Sequence, residues 1–270
     1  FGKILDQYAK NNTEFSQRII TTSPDVSVST NLGPWINRKG LFNRKESSDT
    51  FKDRKIPSAQ KWIFSSQGQH IELGIAEMNL FLMLGAAGLS HEFFGERLFP
   101  IGTVYDPFIS RGLDAMNYAC YQDARFMIVG TPSGISLAPE GGAHQSIGTP
   151  LIGISQPGLL SFEPAFADEL ALIMNYGFNF LQDEDGGSIY LRLSTRSIDQ
   201  PLREMDNELK KNIIKGGYWL KKPGPNPEVI IIYQGSVASE VIEATAFLGE
   251  RFKDLGVLSV TSSDNLFHEW

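Results

Sequence analysis

The sequence predicts an α/β fold built on a doubly wound, mainly parallel sheet. Strand-like runs alternate with helix-length segments from residue 71 to residue 194, with short connections between them. Strands that alternate with helices in this way form a parallel sheet with helices on both faces. Residues 78–84 are apolar on nearly every side, which is typical of a buried helix. At 270 residues, of which 41% are hydrophobic, the chain is long enough for one large domain and part of another.

The first seventy residues carry the weakest signals. Residues 4–10 predict a short helix, and the β-branched run at 18–22, which ends at a Ser-Pro turn, predicts a strand. Asp25 follows that strand. It is a typical turn residue, and its place at a strand end also makes it a candidate for lining a ligand pocket. The polar stretch 34–61 predicts a long surface loop.

Residues 70–90 organise the predicted sheet. A short strand at 71–73 leads into the apolar helix, and one carboxylate, Glu77, stands at the amino end of that helix. An ionised carboxylate is costly to bury alone, so Glu77 has a donor, is protonated, or serves chemistry. Acidic residues are also common in the first turn of a helix, where they face unpaired N–H groups. Taken alone, these residues leave both interpretations open.

Further strand and helix signals follow up to residue 194. The predicted strands are 98–104, 126–130, 151–155 and 188–194, and the predicted helices are 109–121 and 164–180. Pro164 opens the longer helix, at a position where its missing N–H does no harm. A glycine-rich loop at 139–146, P-E-G-G-A-H-Q-S, follows the strand at 126–130. The sheet domain is expected to end at residue 197.

The carboxyl-terminal part predicts a linker and the start of a second domain. Residues 198–227 contain two lysine pairs and the run P-G-P-N-P, a composition typical of a linker. Residues 228–270 restart with an apolar strand and predict a helix at 236–253 and a strand at 257–260. Two strands and one helix bury too little core to stand alone, so this second α/β domain is expected to be incomplete.

Short motifs in a fixed order connect these elements to a known family. They are G-I-A-E at 74–77, Y-x-x-F at 105–108 and G-x-x-H-Q at 141–145. Together they resemble the pyrimidine-binding domain of the transketolase family of thiamine diphosphate enzymes. The runs S-F-E-P-A-F-A-D-E-L and V-L-S-V-T-S, which begin at Ser161 and Val257, resemble the homodimeric decarboxylating component of pyruvate dehydrogenase.

The resemblance implies a role for each cofactor-binding residue. Glu77 matches the catalytic carboxylate that bonds the pyrimidine ring and makes the cofactor's own amino group a base. Ile75 matches the apolar residue that keeps the cofactor bent. Phe108 matches the ring that stacks on the aminopyrimidine, and Tyr105 matches a neighbouring pocket residue. Core packing is the alternative interpretation for Ile75 and for both aromatic residues.

The resemblance also implies residues that face the substrate. His144 matches a histidine that donates to the substrate carbonyl oxygen, and it is expected to be catalytic. Glu140 matches an acid of the dehydrogenase pattern, and Arg196 completes the expected substrate-binding set. The remaining histidines are interpreted as structural or surface residues: His70, His91 and His268. The sequence shows no Cys/His set with metal-ligand spacing.

The implied activity is thiamine diphosphate-dependent decarboxylation of a 2-oxo acid, pyruvate in the first place, with acyl transfer to a lipoyl-bearing partner. A transketolase-like or deoxyxylulose-phosphate-synthase-like carboligase is the alternative. Ser194, Thr195 and Arg196 favour it, because sugar-phosphate enzymes of the family place a phosphate-binding Ser and Arg at such a strand end. The arginine expected after the G-x-x-H-Q loop is replaced near Ser155, which argues against it.

An interpretation of another class is a non-catalytic structural or regulatory domain. The family holds the diphosphate and Mg2+ with a G-D-G motif, and this sequence has none. The resemblance therefore implies that Mg2+ is bound by a domain outside this chain. It also implies a homodimer, because the family forms its site between two subunits.

Charge and cysteine content narrow the expected partners and compartment. A net charge of -7 argues against nucleic acid and anionic membrane, since both select basic surfaces. The single cysteine cannot form an internal disulfide, and no targeting signal is visible, so a cytoplasmic location is expected. The sequence begins F-G-K without an initiator Met, which indicates a processed or partial product.

Overall fold

The computed structural model describes residues 1–45, 50–58 and 61–269. The main sheet has eight strands: β1 (Ile19–Ser23), β2 (Leu41–Phe42), β3 (Phe64–Ser65), β4 (His70–Glu72), β5 (Phe99–Val104), β6 (Met127–Gly130), β7 (Leu159–Phe162) and β8 (Ser188–Arg192). Their order across the sheet is β3-β2-β4-β1-β5-β6-β8-β7, and neighbouring strands pair in parallel. The predicted α/β class with a parallel sheet is confirmed.

Helices cover both faces of this sheet. They are α1 (Gly2–Lys10), α2 (Glu14–Arg18), α3 (Gly33–Lys39), α4 (Thr50–Asp53), α5 (Glu77–Gly88), α6 (Ser90–Phe94), α7 (Leu113–Tyr121), α8 (Thr149–Ser155) and α9 (Ala167–Phe180). Successive side chains of a strand point to opposite faces. Met127 and Val129 of β6 accordingly pack in one core with α1, α3 and α9, whereas Ile128 packs in a second core with α5 and α7. The sheet is therefore doubly wound.

Helix α5 lies against β5 and α7, but it is not buried on all sides. Leu80, Phe81 and Leu84 are fully buried. Met78 and Leu82 are 41% and 57% exposed, so the prediction of a completely buried helix is wrong for this face. The reason is geometric: the sheet, α7 and the 3-10 helix Asp106–Gly112 cover only part of the circumference of α5, which leaves Met78 and Leu82 exposed.

Residues 34–61 were predicted to form one long loop, and this is wrong for much of the range. The stretch contains most of α3, the strand β2 and the short helix α4. Trp35 and Ile36 are fully buried in the core with α1, which explains why a largely polar stretch is ordered there. Residues 46–49 and 59–60 of the predicted loop lie outside the described residues.

Two other predicted elements differ in type. Residues 151–155 form helix α8 rather than a strand, because Pro150 supports its first turn and Leu151 and Ile154 point largely to solvent. The first part of the helix predicted at 109–121 is the 3-10 helix Asp106–Gly112, and α7 follows it. Strand β7 was not predicted, because four residues give too short a pattern for the sequence to show a period.

Helix α9 begins at Ala167, three residues after the predicted start. The Glu169 carboxylate accepts the N–H groups of Ala165 at 2.8 Å and Phe166 at 3.1 Å. These two hydrogen bonds to a side chain in the first turn cap the helix at Phe166, so Pro164 lies outside the helix.

A second, three-stranded sheet follows. It contains β9 (Gly217–Lys221), β10 (Ile230–Gln234) and β11 (Gly256–Val260) in the order β10-β11-β9, with β9 antiparallel to β11. Its helices are α10 (Asn207–Lys215), α11 (Ala238–Leu248) and α12 (Ser263–Glu269). The range 198–227 thus holds α10 and β9 as well as a proline-rich turn, and the domain boundaries at 197 and 227 stay a prediction. In the described part of the chain, every helix is too short or too polar to cross a membrane.

Candidate active site

The motif residues lie at the carboxyl edge of the main sheet. The G-I-A-E motif follows β4, the Y-x-x-F motif follows β5, and the glycine-rich loop follows β6. In open α/β sheets this edge is where ligands bind. Gly74 has a φ of +66°, a conformation that favours glycine, and it turns the chain from β4 towards α5. The fold therefore brings the three motifs to one side of the molecule.

Glu77 is the first residue of α5 and is only 9% exposed. Its Oε1 lies 2.6 Å from Nη1 of Arg111, so the buried carboxylate has a cationic partner. The amino end of a helix also favours a negative charge. Gly112 allows this contact, because a Cβ there would lie 2.2 Å from Phe81 Cδ2 and would push the Arg111 segment away from α5.

The rings of Tyr105 and Phe108 are stacked beside this ion pair. Their centroids are 6.0 Å apart and their planes meet at 20°. The guanidinium carbon of Arg111 lies over the Phe108 ring, 3.8 Å from its centroid. One planar cation therefore contacts both the Phe108 ring and the Glu77 carboxylate.

His144 joins the same cluster. Its ring centroid is 5.3 Å from that of Phe108 and 6.1 Å from that of Tyr105. Glu140 Oε2 lies 3.7 Å from His144 Nε2. The His144 side chain is 33% exposed, so a small molecule can reach it. The structure thus brings together five predicted site residues: Glu77, Tyr105, Phe108, Glu140 and His144.

Ile75 lies two residues before Glu77 and is 79% exposed. It is therefore not an ordinary core isoleucine. A large apolar side chain held in solvent beside a buried carboxylate is available to a ligand or to another protein surface.

The structure does not bring Arg196 into this cluster. Its guanidinium donates to the carbonyl of Ser236 and pairs with Glu240 on α11, so it connects the main domain to the second sheet. Asp25 follows β1, which lies between β4 and β5 in the sheet; it has a φ of +63°, and its N–H donates to Glu72 Oε1 at 2.7 Å. These contacts are those of a turn residue.

The other histidines have local partners. His70 is fully buried between the hydroxyls of Thr21 and Ser27, at 2.8 and 3.0 Å. His91 lies next to Glu92, and His268 next to Asp264. Among the described residues, no group of three or more His, Cys, Asp or Glu side chains is placed to hold a metal ion. Burial raises the pKa of the Cys120 thiol to about 12, which makes it a poor nucleophile.

Sequence reasoning missed Arg111 and a buried arginine, Arg192. Arg111 lies three residues after Phe108 on the same short helix, and that spacing was the available signal. Arg192 ends β8 and is only 8% exposed. Arginine is rarely buried, so the sequence gives no reason to expect that Arg192 is buried or that it pairs with distant residues.

Comparison with known proteins identifies the family to which this chain belongs. Residues 1–201 match the family model described as the pyruvate dehydrogenase E1 component middle domain. The chain belongs to this family. The resemblance expected from the three motifs is thereby confirmed.

Curated relatives carry two names. The chain is 28% identical over 260 residues to the pyruvate dehydrogenase E1 component of Mycolicibacterium smegmatis. This alignment covers 93% of this chain and 28% of the relative. It is 27% identical over 197 residues to Transketolase 2 of Aliivibrio fischeri, and this alignment covers 73% of this chain and 28% of that protein. This chain thus spans less than a third of the length of either relative.

A solved structure has the same fold. The transketolase from Leishmania mexicana matches with a TM-score of 0.75 over 99% of this chain and 35% of its own length, at 17% identity. At this identity the likeness concerns the fold, and it confirms the predicted doubly wound architecture.

Proposed function

We propose that this middle-domain chain supplies the pyrimidine-binding half of a thiamine diphosphate site in an enzyme that decarboxylates a 2-oxo acid, pyruvate being the expected one. The family of the chain and the clustering of Glu77, Phe108 and His144 support this proposal. The observation that carries it is the place of Arg111, whose guanidinium contacts both Phe108 and Glu77.

The residues fit an aminopyrimidine ring. The guanidinium of Arg111 is flat and cationic; it stacks on Phe108 at 3.8 Å and donates to Glu77 at 2.6 Å. A protonated aminopyrimidine is also flat, cationic and a hydrogen-bond donor, so it would make the same two contacts in place of Arg111. When bound, thiamine diphosphate supplies an electron sink at its thiazolium carbon.

Each residue of the cluster then has a defined task. Glu77 would accept a hydrogen bond from the ring nitrogen and hold a proton there, in a site where burial strengthens the interaction. Phe108 would orient the ring by stacking, with the Tyr105 ring beside it. Ile75 would support the bent shape of the cofactor from the solvent side.

His144 would face the substrate. Its exposed ring would donate a hydrogen bond to the carbonyl oxygen of a 2-oxo acid, and Glu140, whose Oε2 lies 3.7 Å from His144 Nε2, would help to orient the imidazole. We assign the later acyl transfer to a lipoyl-bearing acyltransferase partner on the strength of the resemblance and the pyruvate dehydrogenase relatives.

The diphosphate, Mg2+ and the rest of the site would come from outside this chain. We propose a homodimer in the cytoplasm, with the site between subunits. The exposed apolar side chains of Ile75, Met78 and Leu82 support an interface here, because such surfaces are usually covered. The single cysteine is consistent with a reducing compartment.

A carboligase acting on sugar phosphates is the second candidate. The similarity to Transketolase 2 of Aliivibrio fischeri favours it. Ser194, Thr195 and Arg196 also line a cavity of about 340 Å³ at the carboxyl ends of β6 and β8. Against this role, the Arg196 guanidinium is already engaged by Ser236 and Glu240.

One assay separates these candidates. The full-length protein, supplied with thiamine diphosphate and Mg2+, is tested with pyruvate and a dye acceptor, and separately with a pair of pentose phosphates. Turnover of pyruvate supports the decarboxylase, and a preference for the sugar phosphates reverses the assignment. Absence of both activities, together with no binding of thiamine diphosphate by calorimetry, would instead identify a structural or regulatory domain.

A further inference from the structure

We propose that Arg192 is a positioning residue that holds the His144 loop, residues 139–146, against the ring segment, residues 105–108. The inference rests on the proposed function, because these two segments carry the rings assigned to cofactor and substrate. Arg192 is the centre of a group of buried hydrogen-bonded side chains that we name the Arg192 network: Asp106, Ser146, Thr149, Glu163, Tyr190 and Arg192.

Asp106 fixes the ring segment to the sheet. It stands between Tyr105 and Phe108 and is fully buried. Its Oδ2 accepts hydrogen bonds from Arg192 Nε at 3.0 Å and from Thr149 Oγ1 at 2.6 Å, and its Oδ1 accepts the hydroxyl of Tyr190. Three donors, two on β8 and one on α8, therefore set the position of the residue that precedes the Phe108 turn.

The same guanidinium fixes the far end of the His144 loop. Nη2 of Arg192 donates to the carbonyl oxygen and to Oγ of Ser146, both at 3.3 Å. Ser146 lies two residues after His144. The other end of the loop passes through Gly141 and Gly142, with φ values of +56° and +51°, which leave the backbone permissive there. The tether at Ser146 is thus a main constraint on where the His144 ring lies.

Glu163 completes the network on the third side. Its Oε1 accepts a hydrogen bond from Arg192 Nη1 at 2.7 Å, and its N–H donates to the carbonyl of Thr261 in the second domain. Burial raises the pKa of Glu163, the nearby Asp106 adds to the rise, and Arg192 opposes it. Burial alone would lower the pKa of Arg192, but the carboxylates of Asp106 and Glu163 together raise it.

Arg192 therefore stays charged and serves three directions at once through its planar fork: Nε to the ring segment, Nη2 to the His144 loop and Nη1 to Glu163. Lysine has a single ammonium group and does not reproduce this geometry. Loss of the fork should release the His144 loop from the ring segment without unfolding the sheet.

The test uses the full chain with Arg192→Met and, as the matched control, Arg125→Met. Arg125 is also buried, at 4% exposed, but its partners are Asp123 and the backbone of Asp183 and Glu184. The sequence has four histidines, so the imidazole NMR signals of His144 can be assigned with His144→Gln. These signals carry ring-current shifts because the Tyr105 and Phe108 rings lie close by.

We expect Arg192→Met to move the His144 signals towards those of a solvent-exposed histidine. Amide hydrogen exchange in residues 141–148 should become at least ~10-fold faster, while exchange in α9 stays the same. Arg125→Met should change neither. Unchanged His144 signals and exchange in folded Arg192→Met overturn the proposal. So does an equal rise of exchange in α9, since it shows a general loss of stability.

If Arg192→Met does not fold, Arg192→Lys provides the decision. This variant keeps a positive charge beside Asp106 and Glu163 but lacks the planar fork that also reaches Ser146. A smaller shift of the His144 signals in the same direction supports the proposal, and no shift overturns it. Neither readout needs the cofactor. A loosened loop in a protein that fails to bind thiamine diphosphate would therefore contradict the proposed function and leave the role of Arg192 standing.

Discussion

Arg111 Nη1 lies 2.6 Å from Glu77 Oε1, and the same guanidinium is centred 3.8 Å above the Phe108 ring. Both groups are the ones that the proposed function assigns to the pyrimidine ring. A ring and a guanidinium cannot occupy one face of Phe108 together. On the proposed function, Arg111 would therefore move when the cofactor binds, and its ion pair would compete with binding. Because the Arg111 side chain is 51% exposed, it has room to turn into solvent.

Arg111→Met should tighten the binding of thiamine diphosphate. An ion pair with a half-exposed arginine and a cation–π contact are each worth up to about 1 kcal/mol, so we expect affinity to rise by roughly 5-fold to 30-fold. Calorimetric titration of the full-length protein at saturating Mg2+ measures this. Arg251→Met is the control. Arg251 also lies over an aromatic ring, that of Phe252, but it follows α11 in the second domain. Unchanged or weaker binding in Arg111→Met would show that Arg111 does not compete.

Phe108→Leu should weaken the binding of thiamine diphosphate. Leucine keeps the apolar contacts of Phe108 with the core around α5, but it lacks a flat face for the aminopyrimidine. The expected loss is about 1 kcal/mol, or roughly 5-fold in affinity. The same titration serves, with Phe247→Leu as the control because Phe247 is 77% exposed on α11. Equal affinities of Phe108→Leu and the parent protein would refute the stacking role.

Ile75→Ala separates a ligand contact from a core contact. Ile75 is 79% exposed, so its truncation should change the free energy of unfolding by less than about 0.5 kcal/mol. Turnover should fall at least ~10-fold, because a poorly oriented cofactor is a poor catalyst. The control is Ile232→Ala on β10, which is 63% exposed and away from the site. Full turnover in Ile75→Ala would show that Ile75 does not orient the cofactor.

Glu163 should make stability depend on pH in a defined direction. Its pKa in the folded chain is raised above the ordinary value of 4.5. Between the ordinary and the raised value, the folded chain holds a proton that the unfolded chain has lost. The free energy of unfolding therefore falls as pH rises through this window.

Glu163→Gln removes this titration while keeping an oxygen that accepts from Arg192. The parent chain should lose stability relative to the variant as pH rises from 4.5 towards neutrality. Urea denaturation at a series of pH values measures the difference. Glu250→Gln, at an exposed position, is the control. A stability difference that stays constant across the window would contradict the raised pKa.

Much of the fold follows from local pattern. The alternation of strand and helix signals predicted the parallel sheet, because β5 and β6 are short, buried and mainly apolar runs. Residues 151–155 show the limit of this reasoning: a short apolar run fits a buried strand and a partly exposed helix equally well, and α8 is the latter. Helix α5 shows another limit, since composition does not indicate which of its faces lacks a neighbour.

The candidate site was partly predictable for a similar reason. Motifs that follow the ends of parallel strands meet at one edge of the sheet, so Glu77, Phe108 and His144 were expected to lie together. Arg192 was not predictable, because its partner Asp106 is 86 positions away in the chain and buried charges have no periodic signal. Their pairing depends on the register of β8 beside β6, which only the structure shows.

Glu77 is proposed to act on the pyrimidine ring of thiamine diphosphate, and one measurement tests this role directly. Hydrogen exchange at the thiazolium carbon is followed by NMR in the full-length enzyme and in Glu77→Gln. The amide keeps the size of the side chain and can still hydrogen-bond, so folding and dimerisation should be nearly unchanged. It cannot stabilise a protonated ring nitrogen, and we expect exchange to slow, and turnover to fall, at least ~100-fold. Equally fast exchange in both proteins would show that Glu77 is only a first-turn helix residue paired with Arg111.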